Sequence, residues 1–206
     1  MADTQCKTCR RSGEKLFLKE EKCFGQKCAI SRKPYAPGRQ SKRRSPLSEY
    51  GKQLREKQSL KFLYGLRERQ FVNVVNEAMR KGGTNIAAFL LQLLELRLDN
   101  VVFRLGLAKS RSAARQMVSH GHICVNGRKV TIPSHRVKTG NGVSIRTQSI
   151  PKKVFADLDV WLKKYSAPLW LKIDKVSKSG EIVKEPDVAL TELGINVNAI
   201  IEFYSR

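Results

Sequence analysis

From Asn100 to Ala156 the chain has no aspartate and no glutamate, yet those 57 residues hold eleven Lys and Arg and all three histidines. A surface that sheds its anions over such a length repels no polyanion, and nucleic acid is the first candidate partner. The whole chain has 40 Lys+Arg against 18 Asp+Glu and a formal net charge of +22. Charge so large and so segregated argues against a merely soluble basic protein. Long apolar runs are missing as well. No stretch approaches the roughly 18 apolar residues of a spanning helix, so no membrane partner is expected. Met1–Gln5 lacks the apolar core of a secretory signal, and the expected location is the cytoplasm. Aromatic residues make up only 7%. That is too few for a binder that stacks many single-stranded bases, and it suits backbone and shape recognition of folded RNA better. There is no glycine-rich nucleotide loop.

What is present begins with cysteine. Four of the five crowd the first 28 positions: Cys6, Cys9, Cys23 and Cys28, in the pattern C-x2-C, thirteen residues, C-x4-C. Zinc takes four such ligands at tetrahedral corners, and a site with all four positions filled is structural. Lys7, Arg10, Arg11, Lys22 and Lys27 surround the ligands and partly offset a doubly negative zinc-tetrathiolate centre. One structural zinc is therefore expected, holding a segment with almost no core of its own. Two disulfides would use the same residues, but nothing else in the chain suits secretion. Cys124 stands apart in an apolar strand as a small hydrophobe.

Residues 29–46 follow without an acid. They include Arg32, Lys33, Arg39, Lys42, Arg43 and Arg44 with Pro34 and Pro37, and are expected to form an extended basic arm that orders on phosphate. Ser45-Pro46 is the expected start of a helix running to about Leu63, with Lys52, Arg55, Lys57 and Lys61 as its cations. Phe71, Val74, Val75, Ala78 and Met79 give the next helix its stripe. Thr84–Leu98, leucine-rich nearly all round, suits a buried helix.

The character changes at Asp99, a candidate N-cap for a short helix over Asn100–Leu105. Ser110 caps a second, Arg111–His120. His122–Val125, Asn126-Gly127 and Arg128–Val130 form a hairpin signal, and a third strand is expected near Val143–Arg146. Arg111 and Arg115, one turn apart, are candidate clamps for backbone phosphates. Arg104, Lys109, His120, Arg128 and Lys129 complete the candidate RNA contacts of this cationic platform. Lys152–Tyr165 is expected to be helical, with Val154, Leu158, Trp161 and Leu162 on one side. Trp170–Ile173 and Glu181–Val183 are expected strands joined across Ser179-Gly180, and the run from Asn198 to Arg206 is expected to dock on a core.

Several blocks now resemble a known family. They are Cys6-Lys-Thr-Cys9-Arg-Arg, Pro34-Tyr-Ala-Pro37-Gly38, Gln53-Leu-Arg-Glu-Lys-Gln58 and Tyr64-Gly65. To these are added Glu95 through Gly106, His120 through Gly127, and the ending Glu202-Phe-Tyr-Ser-Arg206. Together they resemble the fourth protein of the bacterial small ribosomal subunit, in its zinc-bearing form, over nearly the whole chain. The resemblance implies an α+β fold: a zinc-bound segment and basic arm at 1–44, an all-helical domain at 45–97 joined by 189–206, and a mixed RNA-binding module at 98–188. That module would pack two short helices on a small, mainly antiparallel sheet. The resemblance also implies a structural constituent of the ribosome that binds small-subunit ribosomal RNA early in assembly. It would lie near the messenger RNA entry path, touch the fifth small-subunit protein and contribute to decoding accuracy. The chain departs from the family at Pro37-Gly38-Arg39-Gln40-Ser41, where Pro-Gly-Gln-His-Gly is usual, and at Gly140-Asn141-Gly142, where Gly-Asp is usual.

Two alternatives share these features. An RNA-modifying enzyme can carry the same module, but it needs a poised carboxylate in a pocket domain, and only about fifty residues follow the module here. Glu77, Glu95 and Asp99 are expected at helix surfaces or caps, and His120 and His122 at a helix end and a strand start. No enzyme is expected. A zinc-dependent nucleic-acid-binding regulator would concentrate its contacts on one helix, whereas the charge here is spread over three regions.

Overall fold

A computed structural model describes residues 4–38, 46–81, 83, 85–187 and 194–205. The chain forms two compact units, Met1–Leu90 with Ala189–Arg206, and Leu91–Val188.

The first unit is helical. Its elements are α1 (Thr4–Ser12), α2 (Glu20–Phe24), α3 (Ala29–Arg32), α4 (Glu49–Leu63) and α5 (Glu68–Lys81). The helix α6 (Ile86–Glu95) crosses the boundary between units, and α10 (Val197–Ser205) returns to pack on α4 and α5. The cap of α4 is Ser48, whose Oγ accepts the Gly51 amide at 3.2 Å, and not the expected Ser45-Pro46. Glu49 then sits in the first turn, where the helix dipole favours an acid. Ser45 lies outside the described residues. Gly65, at φ 62°, stops the helix where expected. Phe71, Val74, Val75 and Ala78 of α5 are buried, as their spacing predicts. The buried face of α4 is mixed: Gln53, Lys57, Ser59 and Leu60. Gln53 and Lys57 find partners on α5 and α10, while the buried Ser59 hydroxyl has none among the described residues. Gln53 donates to Glu202 at 3.2 Å, and the Lys57 ammonium stands 5.1 Å from the Phe203 ring and 5.7 Å from that of Tyr204.

The expected helix over Thr84–Leu98 breaks. α6 ends at Glu95, and Arg97 pairs with Arg136 as an isolated bridge, so Leu98 opens a new helix.

The second unit contains α7 (Leu98–Arg104), α8 (Arg111–Ser119), β1 (Ile123–Val125), β2 (Arg128–Lys129), β3 (Gly142–Ile145), α9 (Leu158–Lys164), β4 (Leu171–Asp174) and β5 (Ser179–Ile182). The sheet runs β2-β1-β3-β5-β4 with every pairing antiparallel. Asn126 and Gly127 both take positive φ, 48° and 77°, which is the two-residue hairpin geometry their identities predict. Leu98, Val101 and Val102 of α7 and the following Leu105 join Ala114, Met117 and Val118 of α8 over Ile123, Val143, Ile145 and Ile182 in one core. A Cβ at Gly180 would stand 2.3 Å from Leu105 Cδ2, so only glycine lets that leucine rest on β5.

Two local expectations are corrected here. The helix predicted from Lys152 begins only at Leu158, after a 3-10 turn at Lys153–Phe155, and Val154 is exposed. The β4–β5 turn falls at 175–178 with Lys178 at φ 52°, while Ser179-Gly180 is strand. Asp174 explains the shift: its carboxylate accepts the amides of Val176 and Ser177 at 2.9 and 3.3 Å and fixes the turn earlier.

Candidate nucleic-acid interface

Sequence order places Glu95, Arg97, Asp99 and Asn100 around the start of α7, and all four are buried. Buried charges persist only when paired and hydrogen-bonded. Arg104 closes on Glu95 with two bonds, Nε at 2.9 Å and Nη2 at 2.8 Å, and Asn100 Nδ2 donates to the same carboxylate at 2.7 Å. Asp99 accepts from Arg97 Nη2 at 2.9 Å, from Arg115 Nη2 at 2.8 Å and from the Asn100 amide at 3.0 Å. Arg111 Nε donates to Asn100 Oδ1 at 2.8 Å, and its guanidinium lies 4.5 Å from the Phe103 ring centre. Glu95 and Asp99 are thus neither surface nor cap: they sit inside the unit and hold Arg104 and Arg115, while Asn100 holds Arg111. Arg97 precedes α7 with no side-chain cap, which leaves Asp99 in the first turn, two residues past the cap position. Ser110 does cap α8, through the Ala113 amide at 3.2 Å.

The other candidates of this unit are more open. Lys109 is about half exposed and 3.9 Å from Asp157. His120, Arg128 and Lys129 are exposed. Arg136, Lys138 and Lys152 are also exposed and Arg146 is half-buried. None of these four is among the candidate RNA contacts, although each lies in the acid-free stretch. His122 is held below the ordinary imidazole value, first by burial and then by the charges of Lys152, His120 and Arg146.

In the first unit, Arg32 and Lys33 are exposed at the end of α3, where Arg10 Nε donates to the carbonyls of Lys33 and Tyr35 at 3.1 and 2.9 Å. Arg39, Lys42, Arg43 and Arg44 lie outside the described residues. Lys52 is exposed and paired with Glu49 at 3.2 Å. The remaining three cations of α4 have internal partners. Arg55 Nε donates to the Ser12 carbonyl at 2.5 Å, beside Gly13, whose φ of 77° leaves room for the guanidinium. Lys57 and Lys61 both meet Glu68, at 2.5 and 2.7 Å, and Tyr204 Oη donates to the same carboxylate at 3.1 Å. Burial alone would raise Glu68, but these hydrogen bonds outweigh it and pull its carboxyl down to about 2. Burial, with the Glu68 charge, pushes Tyr204 up.

The four N-terminal cysteines carry free thiols. Cys9, Cys23 and Cys28 are buried and Cys6 is half-buried. Burial pushes the Cys9 thiol up, the other three cysteines add to it, and the Leu16 amide donating to its sulfur opposes it. At Cys28 burial also raises, yet the amides of Ser31 and Ile30, the Ser31 hydroxyl and Lys15 together bring the thiol below its usual value. Four thiols within electrostatic reach, two with amide donors at sulfur, are a donor set suited to zinc. Among the described residues no three His, Cys, Asp or Glu side chains are already gathered to hold a metal ion.

The second unit thus displays basic side chains on a compact helix-helix-sheet scaffold. Two family models cover the chain in succession: "Ribosomal protein S4/S9 N-terminal domain" over residues 2–95 and "S4 domain" over residues 96–143. The chain is 45% identical to the small ribosomal subunit protein uS4 of Thermotoga petrophila, over 98% of this chain and 96% of that one. The uS4 proteins of Thermus thermophilus and a Thermoanaerobacter species are 45% and 48% identical over the same shares. The chain belongs to the uS4 family of small ribosomal subunit proteins.

Proposed function

We propose that this protein is a structural constituent of the small ribosomal subunit that binds small-subunit ribosomal RNA directly and performs no catalysis. The observation that carries it is the full-length similarity to uS4 proteins, together with a second unit whose residues 100–156 hold no carboxylate. It works on the cytoplasmic ribosome, joins the RNA early in assembly and contributes to decoding accuracy. Its protein neighbours include the fifth small-subunit protein, and messenger RNA passes near it. Lys109, His120, Arg128 and Lys129 contact backbone phosphates in the second unit, and Arg32, Lys33 and Lys52 do so in the first. Arg104 and Arg115, held by buried carboxylates, and Arg111, held by Asn100, add their positive charge to the field of the second unit. The basic arm adds Arg39, Lys42, Arg43 and Arg44.

Binding to purified small-subunit ribosomal RNA, measured across salt, tests the proposal. Affinity should fall by about 0.7–0.9 log units per phosphate contact for each tenfold rise in salt. Lys129→Gln should flatten that slope by about one contact. An unchanged slope, or a preference for duplex DNA over this RNA at equal salt, would overturn the assignment.

We further propose that Cys6, Cys9, Cys23 and Cys28 hold one structural zinc. The free thiols and the amides directed at Cys9 and Cys28 support this. The metal would cross-link α1, α2 and the start of α3.

A further inference from the structure

The turn that ends α8 brings together His120, His122, Lys129, Arg146 and Lys152, all from the stretch of sequence without carboxylates. His120 caps the helix, Gly121 takes φ 70°, and His122 leads into β1. The two imidazoles lie 6.0 Å apart between ring centres. Lys129 of β2 runs across Gly121: a Cβ there would stand 2.4 Å from its Cε and 3.2 Å from its Nζ. The Arg146 amide donates to the His122 carbonyl at 2.8 Å and brings the end of β3 to the same place. The chain then turns through Ser149, whose carbonyl accepts the Lys152 amide at 3.0 Å. His122 itself is fixed from two sides. Its Nδ1 meets the buried Ser149 hydroxyl at 3.0 Å, and its ring stands edge-on to buried Phe155 at 6.0 Å. Nε2 is the nitrogen left for an outside partner.

We propose that this corner binds one phosphodiester of the RNA and that His122 takes up a proton as the phosphate arrives. The inference rests on the RNA-binding assignment above and names a site and a linked proton within it. Burial, and then the charges of Lys152, His120 and Arg146, oppose a proton on His122 in the free corner. A phosphate reverses the sign of the local field. The cations then face an anion, and the opposing influence left on the His122 proton is burial. The proton comes from solvent and settles on Nε2, which donates it to a phosphate oxygen, while Nδ1–H donates to Ser149 Oγ. A charge that forms only in the complex adds attraction without adding repulsion to the free protein. Linkage then requires RNA affinity to rise as pH falls, by about tenfold for each unit by which binding raises the His122 value.

Calorimetric titration of the full chain into small-subunit ribosomal RNA tests this at pH 6.5, in buffers of different ionisation enthalpy. Wild-type protein should take up protons on binding, and its affinity should rise several-fold, up to about tenfold, from pH 8 to pH 5.5. His122→Gln should lose most of both effects, while His135→Gln, altered at an exposed site outside the corner, should keep them. Binding by the wild type without proton uptake would overturn the proposal, as would full uptake by His122→Gln. Equal proton uptake with inorganic phosphate alone would show a site for free phosphate and also overturn it. No binding to the RNA at any pH would instead remove the underlying assignment, and this inference with it.

Discussion

Replacing Asp99 by Asn keeps the side-chain volume and removes one buried charge. Asp99 is 4% exposed and Arg97 is 6% exposed, and both Arg97 and Arg115 close on Asp99 Oδ2, at 2.9 and 2.8 Å. The substitution leaves the Arg97 guanidinium inside the unit without a counter-charge. Breaking a buried pair from one side costs about 3–5 kcal/mol. Arg115 is 34% exposed and can turn to solvent, so its loss adds little and the lower end, about 3 kcal/mol, is expected. A domain of ordinary stability has about 5–15 kcal/mol in all. For about 100 residues the loss lowers the midpoint of thermal unfolding by roughly 12–24 °C. Both tryptophans, Trp161 and Trp170, lie in this unit, so their fluorescence in urea follows it without interference from the first. Asp157→Ala serves as the control, because its pair with Lys109 is exposed and stretched to 3.9 Å, and it should cost under about 1 kcal/mol. A loss below about 1 kcal/mol for Asp99→Asn would refute the claim that this carboxylate neutralises a buried arginine.

Glu68 has its carboxyl pulled to about 2, so its contribution is present above the unfolded value of 4.5 and is lost as pH falls from there towards 2. The shift would be worth roughly 3 kcal/mol if buried. With the side chain 46% exposed, about 1 kcal/mol is expected, seen as a shallower acid-unfolding curve for Glu68→Gln by circular dichroism. Native mass spectrometry of freshly reduced protein should find one zinc per chain, and Cys9→Ser should lose it; metal-free protein with all thiols reduced would be the contrary result. Gly106→Ala should destabilise the second unit by roughly 1–3 kcal/mol, because φ is 73° and the new methyl would stand 2.5 Å from Tyr165 Cδ1. Unchanged urea unfolding would contradict that packing.

Local signals were legible in the sequence where the cause is local. The stripe of α5, the Ser110 cap and the Asn126-Gly127 hairpin depend on neighbours within a turn or two, and each stands where its residues predict. Signals that depend on distant partners were not legible. Asp99 looks like a cap because it precedes a helix, and nothing nearby reveals Arg115, sixteen residues on. Lys57 and Lys61 look like the wet face of a thin amphipathic helix. Their rings and carboxylate come from α5 and α10, and the Tyr204–Glu68 bond spans 136 positions. The candidate interface was legible as a field, through its missing carboxylates. Which cations display it and which brace the fold was decided by that nonlocal pairing.

The first unit is discontinuous, and this orders its birth. Tyr204, which seals the Lys57–Glu68 cluster, and Ile200, fully buried, reside in a segment synthesised only after residues 91–188. A nascent chain therefore exposes α4 and α5 half-clad while the inserted unit, encoded without interruption, can collapse and complete its sheet. The inserted unit is therefore fully synthesised before the helix that closes the unit surrounding it in the gene.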